Sequence, residues 1–133
     1  MNWLAILCAG VAFWVLGFVW YSLLFGKMWA AELQKYRGER AAPPGGGMAG
    51  KLVITFIADL VMATGVAYLL RRAPVTDMTH ALKMAAYVAI GFPIMALTIA
   101  KVWEDKPTMV WLIDASYYFL GIVMAAAILV CWG

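Results

Sequence analysis

The chain has 133 residues, of which 66% are hydrophobic and 13% charged, with a formal net charge of +3. Against an ordinary apolar share of roughly 45–50%, that composition excludes a single soluble domain, which could not hide so much apolar surface. The basic residues lie between apolar segments, which points to topology and anionic lipid rather than to nucleic acid.

The first apolar segment runs from about Trp3 to Phe25 and carries no charge. It lacks a basic start and a small-residue cleavage pattern, and it is too long for the core of a signal peptide, so it is expected to be a retained helix. Its end reads "WYSLLFGKMW" (Trp20–Trp29). Phe25-Gly26-Lys27 is expected to be a membrane exit, with Lys27 snorkelling to the headgroups and Trp29 at their level.

Residues 30–50 follow as the longest connection. Ala30 to Arg37 is expected to extend as a short polar helix that Gly38 ends. The run Pro43-Pro44-Gly45-Gly46-Gly47 forbids regular structure and predicts a surface loop. No Gly-Lys-Ser/Thr follows it, so it is not a phosphate-binding loop.

The second spanning helix is expected over about 52–70, interrupted only by Asp59. Thr76 or Asp77 is a plausible N-cap for the third, over about 80–102. Pro93 should kink it. The connection Glu104-Asp105-Lys106-Pro107 is so short that the third and fourth helices must form an antiparallel hairpin. The fourth is expected over about 108–131, interrupted only by Asp114. Each segment is long enough to span, since about 20 residues cross a bilayer. The fold class is therefore all-α: a polytopic membrane protein of four transmembrane helices arranged as two antiparallel hairpins.

Seven Lys and Arg residues flank the first and third connections (Lys27, Lys35, Arg37, Arg40, Lys51, Lys101, Lys106) and three flank the second (Arg71, Arg72, Lys83). The positive-inside rule then places both termini outside, with a bacterial inner membrane as the expected location.

A shift of 74 residues lays Val11–Trp29 over Ala85–Trp103. Six of nineteen positions coincide, among them Gly17/Gly91, Lys27/Lys101 and Trp29/Trp103. Asp59 and Asp114 then fall at matching depth, about 10–12 Å inside their helices at ~1.5 Å per residue. This suggests a parallel internal repeat.

A carboxylate inside a spanning helix costs about 2.5–3.5 kcal/mol on insertion scales, so Asp59 and Asp114 should face the bundle interior, a wet cavity or a partner subunit. Thr55, Met62 and Ala63 share a helical face with Asp59. Tyr117 and Tyr118 lie three and four residues after Asp114, within reach of a phenol–carboxylate hydrogen bond. With Tyr21, these acids and phenols form a candidate polar path for a cation or proton. Lys27, Lys101, Glu104 and Lys106 would surround its cytoplasmic mouth. The competing reading makes each acid a satisfied polar residue that fixes helix packing.

Trp3, Trp29, Trp103, Trp111 and Trp132 fall near the expected membrane boundaries, where aromatic belts account for them. Gly121 and Ala125 form a small-xxx-small pair suited to close helix contact. Cys8 and Cys131 show no paired spacing and His80 is the only histidine, so no metal site, cofactor or enzymatic centre is expected.

Near its start the chain reads "NWLAIL…LGFVWYSLLFGKMW". Near its end come Glu104-Asp105-Lys106-Pro107, Leu112-Ile113-Asp114, Tyr117 and "AAAILVCW". In these motifs it resembles the small four-helix membrane proteins of the domain of unknown function seventeen-sixty-one family. Leu23 stands where that family usually has proline, Lys106 where it has arginine, and Tyr118 where histidine is common. The resemblance implies fold and membrane location and no assigned activity. The expected partners are the lipid bilayer and either further copies of the chain or the subunits of a larger membrane complex. The expected function is a small transporter or channel-like protein using intramembrane carboxylates; the alternative is a non-catalytic accessory subunit.

Overall fold

The computed structural model describes residues 2–37, 48–73, 75 and 77–132. Gly38, the Pro43–Gly47 run and Thr76 lie outside the described residues. Among those described there is no strand. Four helical stretches are long and apolar enough to cross a membrane: Trp3–Leu24, Ala49–Arg72, Met78–Glu104 and Thr108–Trp132. Their 22 to 27 residues correspond to about 33–40 Å of helix at 1.5 Å per residue, against a hydrocarbon core of about 30 Å.

Helix α1 (Trp3–Phe18) is capped by Asn2, whose Oδ1 accepts from the Ala5 N–H at 3.2 Å. The first span continues as a π-helical turn over Val19–Leu24 and stops at Phe25, whose φ of −122° and ψ of 8° leave the helix. Helix α2 (Gly26–Arg37) starts at once. A side chain at position 26 would lie 2.6 Å from the Tyr21 carbonyl oxygen, so the chain can turn here only at a glycine. The first span therefore does not run straight out of the bundle. Helix α2 turns at this point and packs against the π turn and against the last helix.

Helix α3 (Met48–Arg72) forms the second span. The third is composite: α4 (Met78–Ala89), a π-helical turn over Ile90–Ile94 containing Pro93, and α5 (Met95–Glu104). Proline lacks the N–H that an α-helix needs at that position, and the wider turn accommodates the loss. Asp105 ends α5 in the left-handed conformation at φ 53°, one that Asp tolerates better than most residues. Helix α6 (Thr108–Trp132) is the fourth span.

The fourth span is the hub. It packs on the first, second and third, and 39% of its apolar window is buried against 11% for the third. The third span leans chiefly on the fourth, and the backbones of the second and third stay farther apart although a short connection joins them, with Val66, Leu70, Met84 and Val88 lining a small gap between them. The two halves are thus packed unequally. Gly17 abuts Tyr117, whereas its aligned counterpart Gly91 faces open space.

Lipid offers apolar side chains no reason to leave it, so small residues that let backbones approach must supply the packing. Ala81, Ala85 and Ala89 form one buried stripe on α4, and Ala125 and Ala126 are buried on α6. The Phe13 ring lies directly on Gly121, where an added Cβ would meet its Cδ1 at 2.7 Å. At Gly10 the Leu60 backbone comes close enough that a Cβ would sit 3.2 Å from its Cα. The outer faces of all four spans carry exposed large hydrophobic residues, such as Val15, Ile54, Phe92 and Leu112.

Candidate functional site

Asp59 is the one buried charged residue among those described, 5% exposed in the middle of α3. The Tyr117 phenol on α6 reaches it across the bundle, donating to Oδ1 at 3.3 Å and Oδ2 at 3.5 Å. That reach depends on Gly17, where a Cβ would stand 3.0 Å from the phenol oxygen. Phe13 supports the ring edge-on, with centroids 5.2 Å apart. Phe13, Gly17 and Tyr21 are spaced by four residues and share one face of the first span.

Asp114 lies one turn before Tyr117 on α6 and is bonded by the Tyr21 phenol, which donates to its Oδ1. The neighbouring Trp20 fixes the same register. Its Nε1 donates to the Ile113 carbonyl at 3.1 Å, and its ring packs on Phe25 at 4.9 Å. The Tyr21 ring then packs edge-on against Tyr117 at 5.3 Å, and Tyr117 lies tilted against Tyr118 at 5.1 Å. Asp114, Tyr21, Tyr117 and Asp59 thus form one continuous cluster spread over three spans.

The pairing differs from the one that helical spacing suggests. Tyr117 serves Asp59 on another helix instead of Asp114 on its own, and Tyr21 takes Asp114. Ala63 is buried beside Asp59 and Met62 half-buried. Thr55 is exposed and bonds back to the Lys51 and Leu52 carbonyls, away from the cluster.

Trp29 is turned inward rather than out to a headgroup layer. Its ring packs on Tyr21 at 5.2 Å, and its Nε1 is buried without completing a hydrogen bond while approaching the Asp114 carboxylate. Trp111 is also tied inside, its Nε1 donating to Thr98 Oγ1 at 3.0 Å. Trp3, Trp103 and Trp132 are exposed at span ends. Of the four expected mouth residues, Lys106 and Glu104 pair at 3.0 Å, and Lys106 is near enough for its charge to act on Asp114. Lys27 is exposed and Lys101 half-buried. Away from the cluster, His80 Nδ1 lies 2.5 Å from Asp77 Oδ1, and this bond holds the Asp77 carboxyl below the usual carboxylate range.

Residues 4–130 match the protein family described as Protein of unknown function (DUF1761). The chain belongs to this family. No curated protein and no solved structure matches it. Of the motifs toward the two ends of the chain, the fold brings together Trp20-Tyr21 and Leu112-Ile113-Asp114. Phe13, Gly17 and Trp20 complete the site. The four-residue spacing of Phe13 and Gly17 with Tyr21 is the sequence signal that marks the first two.

Proposed function

We propose that this protein is a small channel-like or carrier-like membrane protein whose intramembrane carboxylates handle an ion. One observation carries the reading: acids from two different spans turn into the bundle and are joined through contacting phenols instead of each being hidden alone. An acid kept only for packing needs one local partner; a relay needs neighbours in contact. Flux of protons, sodium and potassium into liposomes containing the full chain tests it, comparing the native protein with Asp59→Asn and Asp114→Asn. The expected result is flux that either substitution abolishes. Equal flux in all three proteins would remove the carboxylate path.

The alternative, an accessory subunit of a membrane complex, draws on the third span. That span is covered mainly by the fourth and leaves Tyr87 78% exposed, about 13 Å along its helix from Met78, where a phenol finds no partner in lipid. Co-purification of foreign subunits in fixed ratio from native membranes would favour this reading. Further copies of the same chain would fit the first.

A further inference from the structure

Building on that ion-handling role, we infer that the ligand of the Asp59–Asp114 cluster is a proton and not a metal cation. The polar groups turned toward the two carboxylates are hydrogen donors. The Tyr117 phenol points at both oxygens of Asp59, and the Tyr21 phenol at Oδ1 of Asp114. The Trp29 indole N–H approaches Asp114, and the Lys106 ammonium acts on it from the adjoining turn. Donors present positive hydrogens. A metal ion needs lone pairs, typically six or more oxygens for a hard cation such as calcium.

A carbonyl next to Asp114 in the chain is already engaged. The Ile113 carbonyl accepts from Trp20 Nε1 at 3.1 Å and from Ser116 Oγ at 2.9 Å. Among the described residues no three His, Cys, Asp or Glu side chains converge. The remaining walls are the rings of Phe13, Tyr21, Tyr117 and Tyr118, packed 5.1–6.5 Å apart. A proton asks for one lone pair of one carboxylate.

Charge points the same way. Among the described residues, the titratable and charged groups facing the cluster are Tyr21 from the first span, Lys106 from the turn before α6, and Tyr117 and Tyr118 from α6 itself. Two carboxylates therefore face one ammonium, which Glu104 already shares at 3.0 Å. Asp59 is hydrogen-bonded by the neutral phenol of Tyr117. In a low-dielectric interior such an imbalance is costly, and each bound proton lessens it by one charge. The proton adds to a carboxylate oxygen, forms one O–H bond and cancels one negative charge; the phenols keep their own hydrogens. When it leaves Asp114, the indole N–H of Trp29 is the donor in reserve for the anion.

Infrared difference spectroscopy of the full chain in lipid bilayers tests this, with acid titrations in sodium, potassium and choline salts. The expected result is a protonated-carboxyl band that grows on acidification, is lost in part in Asp59→Asn or Asp114→Asn, and does not respond to the salt. Tyr21→Phe, which keeps the ring and the fold, should move the band without abolishing it. A band shift produced by sodium or potassium at constant pH, or identical titrations in the native protein and all three variants, would overturn the assignment. A variant-sensitive titration without flux in liposomes supports the proton site and overturns only the carrier reading.

Discussion

Tyr21 and Asp114 stand 93 positions apart in the chain and are directly hydrogen-bonded. The bond fixes the first span against the fourth at the level where α2 turns over the bundle. It also places the Tyr21 ring between Trp29 and Tyr117, at 5.2 and 5.3 Å. One side chain therefore supplies both the donor for one acid and the contact leading to the other.

Tyr21→Phe separates these two roles, because the ring stays and the hydroxyl goes. Leaving a buried acceptor without its donor typically costs about 1–3 kcal/mol. The variant should unfold at lower temperature in detergent by a corresponding amount. In a double-mutant cycle with Asp114→Asn, the coupling energy should fall within about 0.5–3 kcal/mol, the range for contacting residues. Additive effects of the two substitutions would show that the bond does not form in the folded protein.

The glycines divide cleanly. At Gly121 a methyl group would run into the Phe13 ring, and Phe13, 1% exposed, has little room to yield. Gly121→Ala should destabilise the bundle by about 1–3 kcal/mol, the usual cost of overpacking. At Gly65 nothing lies within 4 Å of the added Cβ. Gly65→Ala should leave stability unchanged or raise it by up to roughly 1 kcal/mol, through the backbone freedom that alanine removes. Thermal melts of the two variants side by side check the contrast.

Much of the fold is legible in the sequence because lipid imposes a length and a polarity on each span. Asp59 and Asp114 stand out for the same reason, as charges inside apolar runs. Their partners do not. Tyr117 sits three residues from Asp114, and helical spacing assigns it there, yet its long side chain crosses to Asp59 because Gly17 leaves room for the phenol. The inward turn of Trp29 depends on Phe25 and Gly26, two residues whose joint effect no periodicity reveals. The hub position of the fourth span depends on alanine and glycine seams; the Gly121–Ala125 pair announces one close contact, but nothing in its spacing says which helix it meets.

At the start of the third span, Asp77 carries a pH dependence of definite sign through His80. The His80 ring N–H donates to the Asp77 carboxylate and holds its titration below the ordinary value. The folded protein then binds this proton less readily than the unfolded chain does. The stabilisation is present above the unfolded value, about 3.9, and is lost as pH falls through the lower folded one. His80→Ala should return Asp77 to the ordinary carboxylate range, read by carbon NMR of aspartate-labelled protein. An unchanged Asp77 midpoint would show that the ring does not engage the acid in solution.

Trp111 and Thr98 join the third span to the fourth beyond the π-helical turn at Pro93. Thr98 Oγ1 accepts from Trp111 Nε1 at 3.0 Å and donates to the Ile94 carbonyl at 2.8 Å. The two halves of this pair should respond unequally. Trp111→Phe keeps an aromatic ring and leaves Thr98 still bonded to its own helix, so the loss should be about 1 kcal/mol, the net worth of an ordinary hydrogen bond. Thr98→Val has nearly the same shape but strands the indole N–H, and an unpaired buried donor costs about 1–3 kcal/mol. Thr98→Val should therefore melt at the lower temperature. Amide hydrogen exchange over Ile90–Thr98 should also accelerate in both variants, since that turn already lacks the proline N–H and relies on the fourth span to hold it. Equal melting temperatures and unaltered exchange would mean that alanine packing alone holds the third span in place.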